Sequence, residues 1–356
     1  MTASSIVSGE FPVVGDVAGH SVVMHYGDIA AEYAALRGSA MLVDRGARGR
    51  MRVEGARAAE MITGLVTNDV TALTPGHGLY AAALNPKGKI VADVRVLARP
   101  DHLLIDTPPR AWAGWQAMVR KYINPRLAPY RDESETLHDI GLFGQTSRRI
   151  VAALAGVPAE ALAALPPYAQ LAAEVDGGAV LVVRSPDLEL EGYELIGAPE
   201  TTRLIWARAA AAGAVPTGLL AWEIARIEAG RPEWGLDIDE STIPQEANFD
   251  ELHAISYTKG CYVGQEVVAR VHFRGHVNRH LRGLLCGRTE PPPAKAVLLD
   301  DAGKQVGDVR SGALSPRLGA VALAMVRREV RPGTTLAVQW DQGDGRADVR
   351  ELPFPL

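Results

Sequence analysis

Eight consecutive residues, Lys259-Gly260-Cys261-Tyr262-Val263-Gly264-Gln265-Glu266, carry the side chains best suited to covalent or redox chemistry. A cysteine acts as nucleophile, redox centre or soft-metal ligand through its thiolate, and a nearby cation favours that form. Lys259, two positions from Cys261, is the candidate cation. Glycines accept backbone angles closed to other residues, so Gly260 and Gly264 predict Cys261 on a tight turn at the start of a strand. Gln265 and Glu266 are the residues expected to hold that turn by hydrogen bonds. The plain alternative for any cysteine is a buried, inert side chain. That reading suits Cys286, which lies mid-strand in Leu284-Leu285-Cys286. The two cysteines lack CxxC spacing, and one cysteine cannot hold a cluster alone, so no metal site is expected from them.

A second concentration of chemistry follows: Arg270, His272, Arg274, His276, Arg279, His280 and Arg282. Histidines at four-residue spacing would align as metal ligands on a helix. Val267-Val268-Ala269 and Gly275 instead predict strand, turn and strand, which scatters the imidazoles and leaves a basic patch. Such a patch is solvated or meets an anion, RNA among the choices. Asp237, Asp239 and Glu240 read as a solvated acidic loop. There is no P-loop, dinucleotide glycine fingerprint or Gly-x-Ser-x-Gly elbow, so nucleotide and hydrolase readings lack support.

Several elements must position these residues. At 356 residues the chain is long enough for two or three domains. Its composition, 47% apolar and 22% charged, is that of a globular protein able to bury cores. A net charge of −5 and a pI near 6.0 argue against a global nucleic-acid footprint. Two cysteines rule out a disulfide framework and predict a reducing cytoplasm. No secretory pattern opens the sequence, and no apolar run is long enough to predict a membrane helix. The periodicity predicts helices over 28–37, 56–65, 111–123, 148–155, 201–212 and 219–229. Thr217 is the expected cap of the last and Gly230 its stop. Strands are predicted over 50–54, 79–84, 90–97, 102–106, 179–184 and 190–196. Beyond Gly264 the short apolar runs 266–273, 281–286, 297–299, 305–309, 320–325 and 335–340 predict a small antiparallel barrel or sandwich.

The octapeptide resembles the signature of the YgfZ family of folate-binding, iron–sulfur-related proteins, within the glycine-cleavage T-protein superfamily. The preceding stretch agrees: Arg226-Ile227-Glu228-Ala229-Gly230, Gly235-x-Asp237 and Pro244-x-Glu246-Ala247. So does the first third, with Val43-Asp44, Arg52-Val53-x-Gly55, Thr67-Asn68-Asp69-Val70, Pro75-Gly76, Tyr80, Leu84, Gly88-x-Ile90 and Asp93. The resemblance covers nearly the whole chain in one order, and the cysteine separates the YgfZ branch from T-proteins.

The resemblance implies an α+β, three-domain T-protein-like cloverleaf. Its folate-binding domain would comprise 1–48 plus 137–265, interrupted by a ferredoxin-like insertion at 49–136 and followed by a C-terminal antiparallel β-barrel at 266–356. It implies a tetrahydrofolate ligand between the domains, with Glu194 and Arg226 on the pterin and Tyr80 beside it. A carboxylate matches the parallel N–H donors of an aminopyrimidine. Tyr262, Gln265 and Glu266 are assigned to the same ligand, and Cys261, Lys259 and Asp93 to the chemistry. From the residues alone, Arg226 could instead pair with Glu223 on its helix, and Glu194 could be a solvated strand residue. T-proteins carry two adjacent acids where this chain has Ala92-Asp93, which weighs against aminomethyl transfer. The leading expectation is thus a tetrahydrofolate-binding accessory factor in iron–sulfur cluster assembly or repair, without a permanently bound metal, acting on iron–sulfur enzymes or assembly proteins. The alternatives are a folate-dependent aminomethyl transferase and a tRNA-interacting module.

Overall fold

The computed structural model describes residues 12–188 and 190–355. The chain begins with a hairpin, β1 (Val13–Val17) and β2 (His20–His25). Helix α1 (Ile29–Gly38) is opened by Asp28, whose carboxylate accepts the Ala31 amide. Strand β3 (Met41–Asp44) then leads to β4 (Gly49–Glu54), α2 (Ala58–Thr63), β5 (Gly78–Leu84) and β6 (Ile90–Ala98). After β7 (His102–Thr107), α3 (Pro109–Tyr122) and β8 (Tyr130–Asp132), the strands β5-β6-β7-β4-β8 make one antiparallel sheet. Next come β9 (His138–Phe143), α4 (Ser147–Ala155), α5 (Ala159–Ala163), β10 (Gln170–Val175) and β11 (Gly178–Arg184). They are followed by β12 (Gly192–Gly197), α6 (Pro199–Ala211), β13 (Val215–Thr217) and α7 (Leu219–Glu228). This second sheet has the order β10-β11-β12-β9-β3-β13, so β3 rejoins a sheet whose other strands come after residue 137.

Helix α8 (Gln265–Arg274) precedes a closed barrel. Its strands are β14 (Arg279–Cys286), β15 (Val297–Leu299), β16 (Gln305–Ser315), β17 (Gly319–Arg327), β18 (Thr335–Trp340) and β19 (Gly343–Arg350). The architecture is α+β, with a C-terminal antiparallel barrel as the periodicity predicted. Among the described residues no helix is long and apolar enough to cross a membrane.

Strand alternation sorts the side chains that matter. Along β6, Ala92, Val94, Val96 and Ala98 enter an apolar core with Trp115 and Met118 of α3. Leu97, on the opposite face, packs with Tyr80, Leu181 and Ile196, so the two sheets meet there. Helices α4 and α6 cover the far side of the second sheet. Helices α1 and α7 bridge β3 to the barrel through Val43, Trp222, Leu281 and Met325.

The structure corrects four local expectations. Residues 266–273 form a helix: Val267, Val268 and Val271 recur at helical spacing, and only Val268 is fully buried. Cys261 therefore precedes a helix, and of the two flanking glycines it is Gly264 that takes a positive φ, of 80°. Helix α7 is capped at Gly218, while the Thr217 hydroxyl turns back to the Val215 carbonyl. Asp237 is not solvated but completely buried, held by Arg226 at 2.6 Å.

Candidate functional site

A cavity of about 380 Å³ opens where the two sheets, α7 and the first hairpin meet. The hairpin contributes Val17, His20 and Val22, and the β3–β4 connection contributes Arg45, Gly46, Ala47 and Arg48. From β5 and β6 come Tyr80, Asp93 and Arg95. Helix α7 and the turn after it supply Trp222, Glu223, Arg226, Arg231 and Glu233. The volume and mixed lining suit a small organic ligand.

Beneath lies a buried network of arginines and carboxylates. Arg95 reaches Asp106 at 2.7 Å and Glu194 at 2.6 Å. Arg48 meets Asp106 at 2.6 Å, and Arg45 meets Asp187 at 2.8 Å and Glu194 at 3.4 Å. Burial alone would raise the Asp106 carboxyl, but Arg48 and Arg95 outweigh it and hold the group well below the usual carboxylate range. Burial likewise opposes ionisation of Glu194, and Arg45 and Arg95 overcome it. Asp139 goes the other way: burial and the Glu194 charge hold it well above the ordinary range. The opposite shifts of Asp139 and Glu194 follow from the cost of placing two like charges together.

Tyr80 and Asp93 stand on this floor. The tyrosine hydroxyl donates to Asp93 Oδ2 at 2.9 Å, while the buried Oδ1 meets no hydrogen-bond partner among the described residues. Burial raises the Asp93 pKa against the pull of Arg48. The Tyr80 ring stacks between Tyr168 and Phe249, at centroid distances of 6.2 and 5.3 Å. Arg231 lies 4.8 Å over that ring and bonds the Tyr168 hydroxyl at 2.9 Å and Asp187 at 3.2 Å. On the opposite wall, Arg226 grips Glu223 with two bonds of 3.0 and 2.6 Å. Burial and neighbouring Glu223 push Glu233 up to about 7.

This chemistry sits on a chain whose residues 8–256 match the GCVT N-terminal domain. Residues 279–355 match the glycine cleavage T-protein C-terminal barrel domain. The chain belongs to the glycine cleavage T-protein family. Among its relatives, the aminomethyltransferase of Thermotoga neapolitana is 30% identical over 350 residues, covering 95% of this chain and 93% of that one. The aminomethyltransferase of Nostoc sp. is 30% identical over 316 residues, covering 86% and 82%. That of Saccharopolyspora erythraea is 28% identical over 348 residues, covering 95% and 93%. The crystal structure of the glycine cleavage system aminomethyltransferase T from Bartonella henselae superposes with a TM-score of 0.84 at 23% identity, covering 97% of this chain and 94% of that one. The T-protein fold is thus shared end to end.

Of the residues singled out from the sequence, Tyr80, Asp93 and Arg226 come together in the lining of this T-protein cavity. Glu194 does not line it: it is 0% exposed, with its oxygens directed to Arg45, Arg95 and Ser185. Arg226 lines the cavity and also makes the Glu223 pair that its helix position predicts. The Cys261 loop lies outside the lining. Lys259 turns its ammonium to the Thr63 and Val66 carbonyls and over the Tyr262 ring at 4.3 Å, instead of bonding the thiol. Burial lowers the Lys259 pKa to about 8. Gln265 Oε1 accepts the Tyr262 amide at 3.1 Å, and Glu266 lies exposed in the first turn of α8. Cys261 is exposed, whereas burial drives the half-buried Cys286 thiol up to about 11.

The basic stripe is dispersed. His272 stacks on Tyr257 at 3.5 Å within α8, His276 lies past its end, and His280 is in β14. Arg279 is engaged by Glu246 at 3.0 Å.

The two-acid comparison also takes a different form in three dimensions. Ala92 is buried in the apolar core under α3, so the acid this chain lacks is on the face away from the cavity. The acid it keeps, Asp93, is the one that faces inward. Glu233 and Arg231 escaped the sequence reading, since charges after a helix stop at Gly230 have no periodicity to mark them. Their only signal was a place between two recognised fragments.

Proposed function

We propose that the protein binds tetrahydrofolate in the central cavity and uses it in one-carbon transfer of the aminomethyl type. The observation that carries this reading is Asp93, which lines the cavity with one oxygen fixed by Tyr80 and its other, buried oxygen without a hydrogen-bond partner among the described residues. Relatives named aminomethyltransferase over nearly the full chain support it.

The residues present fit such a ligand. A flat heteroaromatic ring would have Tyr80 and Trp222 beside it in the lining. Its N–H donors find acceptors in Asp93, Glu223 and Glu233. Glu194 takes part from below the floor, setting Arg45 and Arg95. When bound, tetrahydrofolate supplies the secondary amine that accepts a one-carbon unit. The protein's contribution is to orient that amine, exclude water behind the β1–β2 hairpin, and place Asp93 where positive charge develops on the transferred carbon.

A second reading, an accessory role toward iron–sulfur enzymes, is favoured by Cys261. Its loop is anchored by the Val263 amide on the Gly64 carbonyl at 3.0 Å and by half-buried Lys259 on the Thr63 and Val66 carbonyls, yet Cys261 is exposed. This suits contact with a partner more than chemistry in the cavity.

One comparison separates the two. Asp93→Asn is expected to lower tetrahydrofolate-dependent transfer from an aminomethyl donor about 10²–10⁴-fold, with folate affinity held within about tenfold. Cys261→Ser is expected to leave both unchanged. If the wild type turns over no such donor, while Cys261→Ser abolishes support of iron–sulfur enzymes in cells lacking the native protein, the second reading replaces the first.

A further inference from the structure

Glu233 is a cavity carboxyl with little compensation. Arg226, a cation on the same wall, spends Nε and Nη2 on Glu223 and Nη1 on Asp237 at 2.6 Å. Glu233 keeps one contact, from Arg110 Nη1 to Oε1 at 3.2 Å, and its side chain is 19% exposed. Its backbone, by contrast, is clamped. Asp237 Oδ2 accepts the Glu233 amide at 2.9 Å, and the Glu233 carbonyl accepts the Asp237 amide at 2.9 Å. Ser311 of β16 binds the other Asp237 oxygen, so α7 and the barrel together fix this turn.

We propose that Glu233 is the acid–base group of the cavity, exchanging a proton with the ligand's amine nitrogen during one-carbon transfer. The proposal rests on the folate-dependent reading above. As the attacking nitrogen bonds to the one-carbon unit, it gives its proton to the Glu233 carboxylate. The bond from that carbon to its leaving group breaks, and the leaving group takes the proton from Glu233. No electrons are gained or lost. Asp93, pinned by Tyr80, stays in place as the charge-stabilising acid.

The surrounding charges suit the task. Glu233 faces Glu223 and Arg226 of α7, Asp93 of β6, Arg48 of the β3–β4 connection, Arg110 of α3, and Asp237 of its own turn. Burial and Glu223 outweigh the arginines, and a carboxyl at about 7 populates both forms at neutral pH. An acid–base group works best in that range.

The test uses the full chain with tetrahydrofolate as probe, as wild type, Glu233→Gln and Glu233→Asp. Calorimetry in buffers of different ionisation enthalpy, from pH 6 to 8, reads protons exchanged on binding, and single-turnover kinetics read transfer. The wild type is expected to exchange protons near pH 7 and Glu233→Gln to lose that exchange. In Glu233→Gln transfer should fall about 10²-fold, by more than any loss of affinity, and the pH limb near 7 should disappear. Glu233→Asp should recover part of both. A Glu233→Gln protein that is folded by circular dichroism and retains rate and pH limb overturns the proposal while leaving the folate reading intact. A wild type that binds tetrahydrofolate without transferring from any aminomethyl donor overturns the folate-transfer reading, and this proposal with it.

Discussion

Replacing Ala92 by aspartate restores, on paper, the pair of acids carried by T-proteins, and comparison of sequences alone would expect faster transfer. The structure predicts damage instead. Position 92 is 0% exposed, packed with Val94, Val96 and Trp115 on the face of β6 away from the cavity. An aspartate there must be neutral at pH 7, and lifting its pKa by about three units costs about 4 kcal/mol at 1.36 kcal/mol per unit. The neutral carboxyl still lacks a hydrogen-bond partner, adding about 1–3 kcal/mol. The sum rivals the whole stability of an ordinary domain, about 5–15 kcal/mol. Because the folded-state pKa is raised, the ionisation penalty is present above the unfolded value and shrinks as pH falls, by about 1.4 kcal/mol per unit between pH 7 and 4. Urea unfolding followed by tryptophan fluorescence should therefore show Ala92→Asp strongly destabilised at pH 7 and less so at pH 5. Wild-type stability at pH 7, or a gain in transfer, would refute the assignment of position 92 to the apolar face.

Other perturbations follow from the same geometry. Arg95→Met leaves Asp106 and Glu194 without their shared cation and should cost about 3–5 kcal/mol in urea unfolding; a loss below 1 kcal/mol would mean that the network re-pairs through Arg45 and Arg48. The Lys259 pKa is lowered to about 8 by burial, so the unfolded chain binds more protons than the folded one above that pH. Its contribution to stability should thus rise from pH 8 toward 10, and Lys259→Met should abolish that slope in paired urea titrations.

How much of this was legible in the sequence follows from what each signal encodes. The barrel strands and most helices were readable because burial on one side imposes a period of two or near 3.6. Residues 266–273 misled because β-branched valines suggest a strand, while the packing of Val268 on one side and Gly264 at the start make a helix. The Ala92–Asp93 step misled differently. An ordered string of letters shows that an acid is missing but not which face it would occupy, and face depends on register against β5 and on what α3 covers. Asp237 looked like one of three acids in a loop, and its burial depends on Arg226 and Ser311, the latter 74 residues away.

The sequence by itself determined the family resemblance, the α+β succession with its barrel, and the candidacy of Tyr80, Asp93 and Arg226, because these are local patterns in a recognisable order. Only the tertiary structure decided that these three share a cavity, that Glu194 lies beneath its floor, that Glu233 joins its wall, and that Cys261 stands outside it. Those outcomes depend on contacts between segments distant in the chain. Residue type and spacing say what a side chain can do, whereas its charge state and its neighbours are set by which surfaces burial brings together.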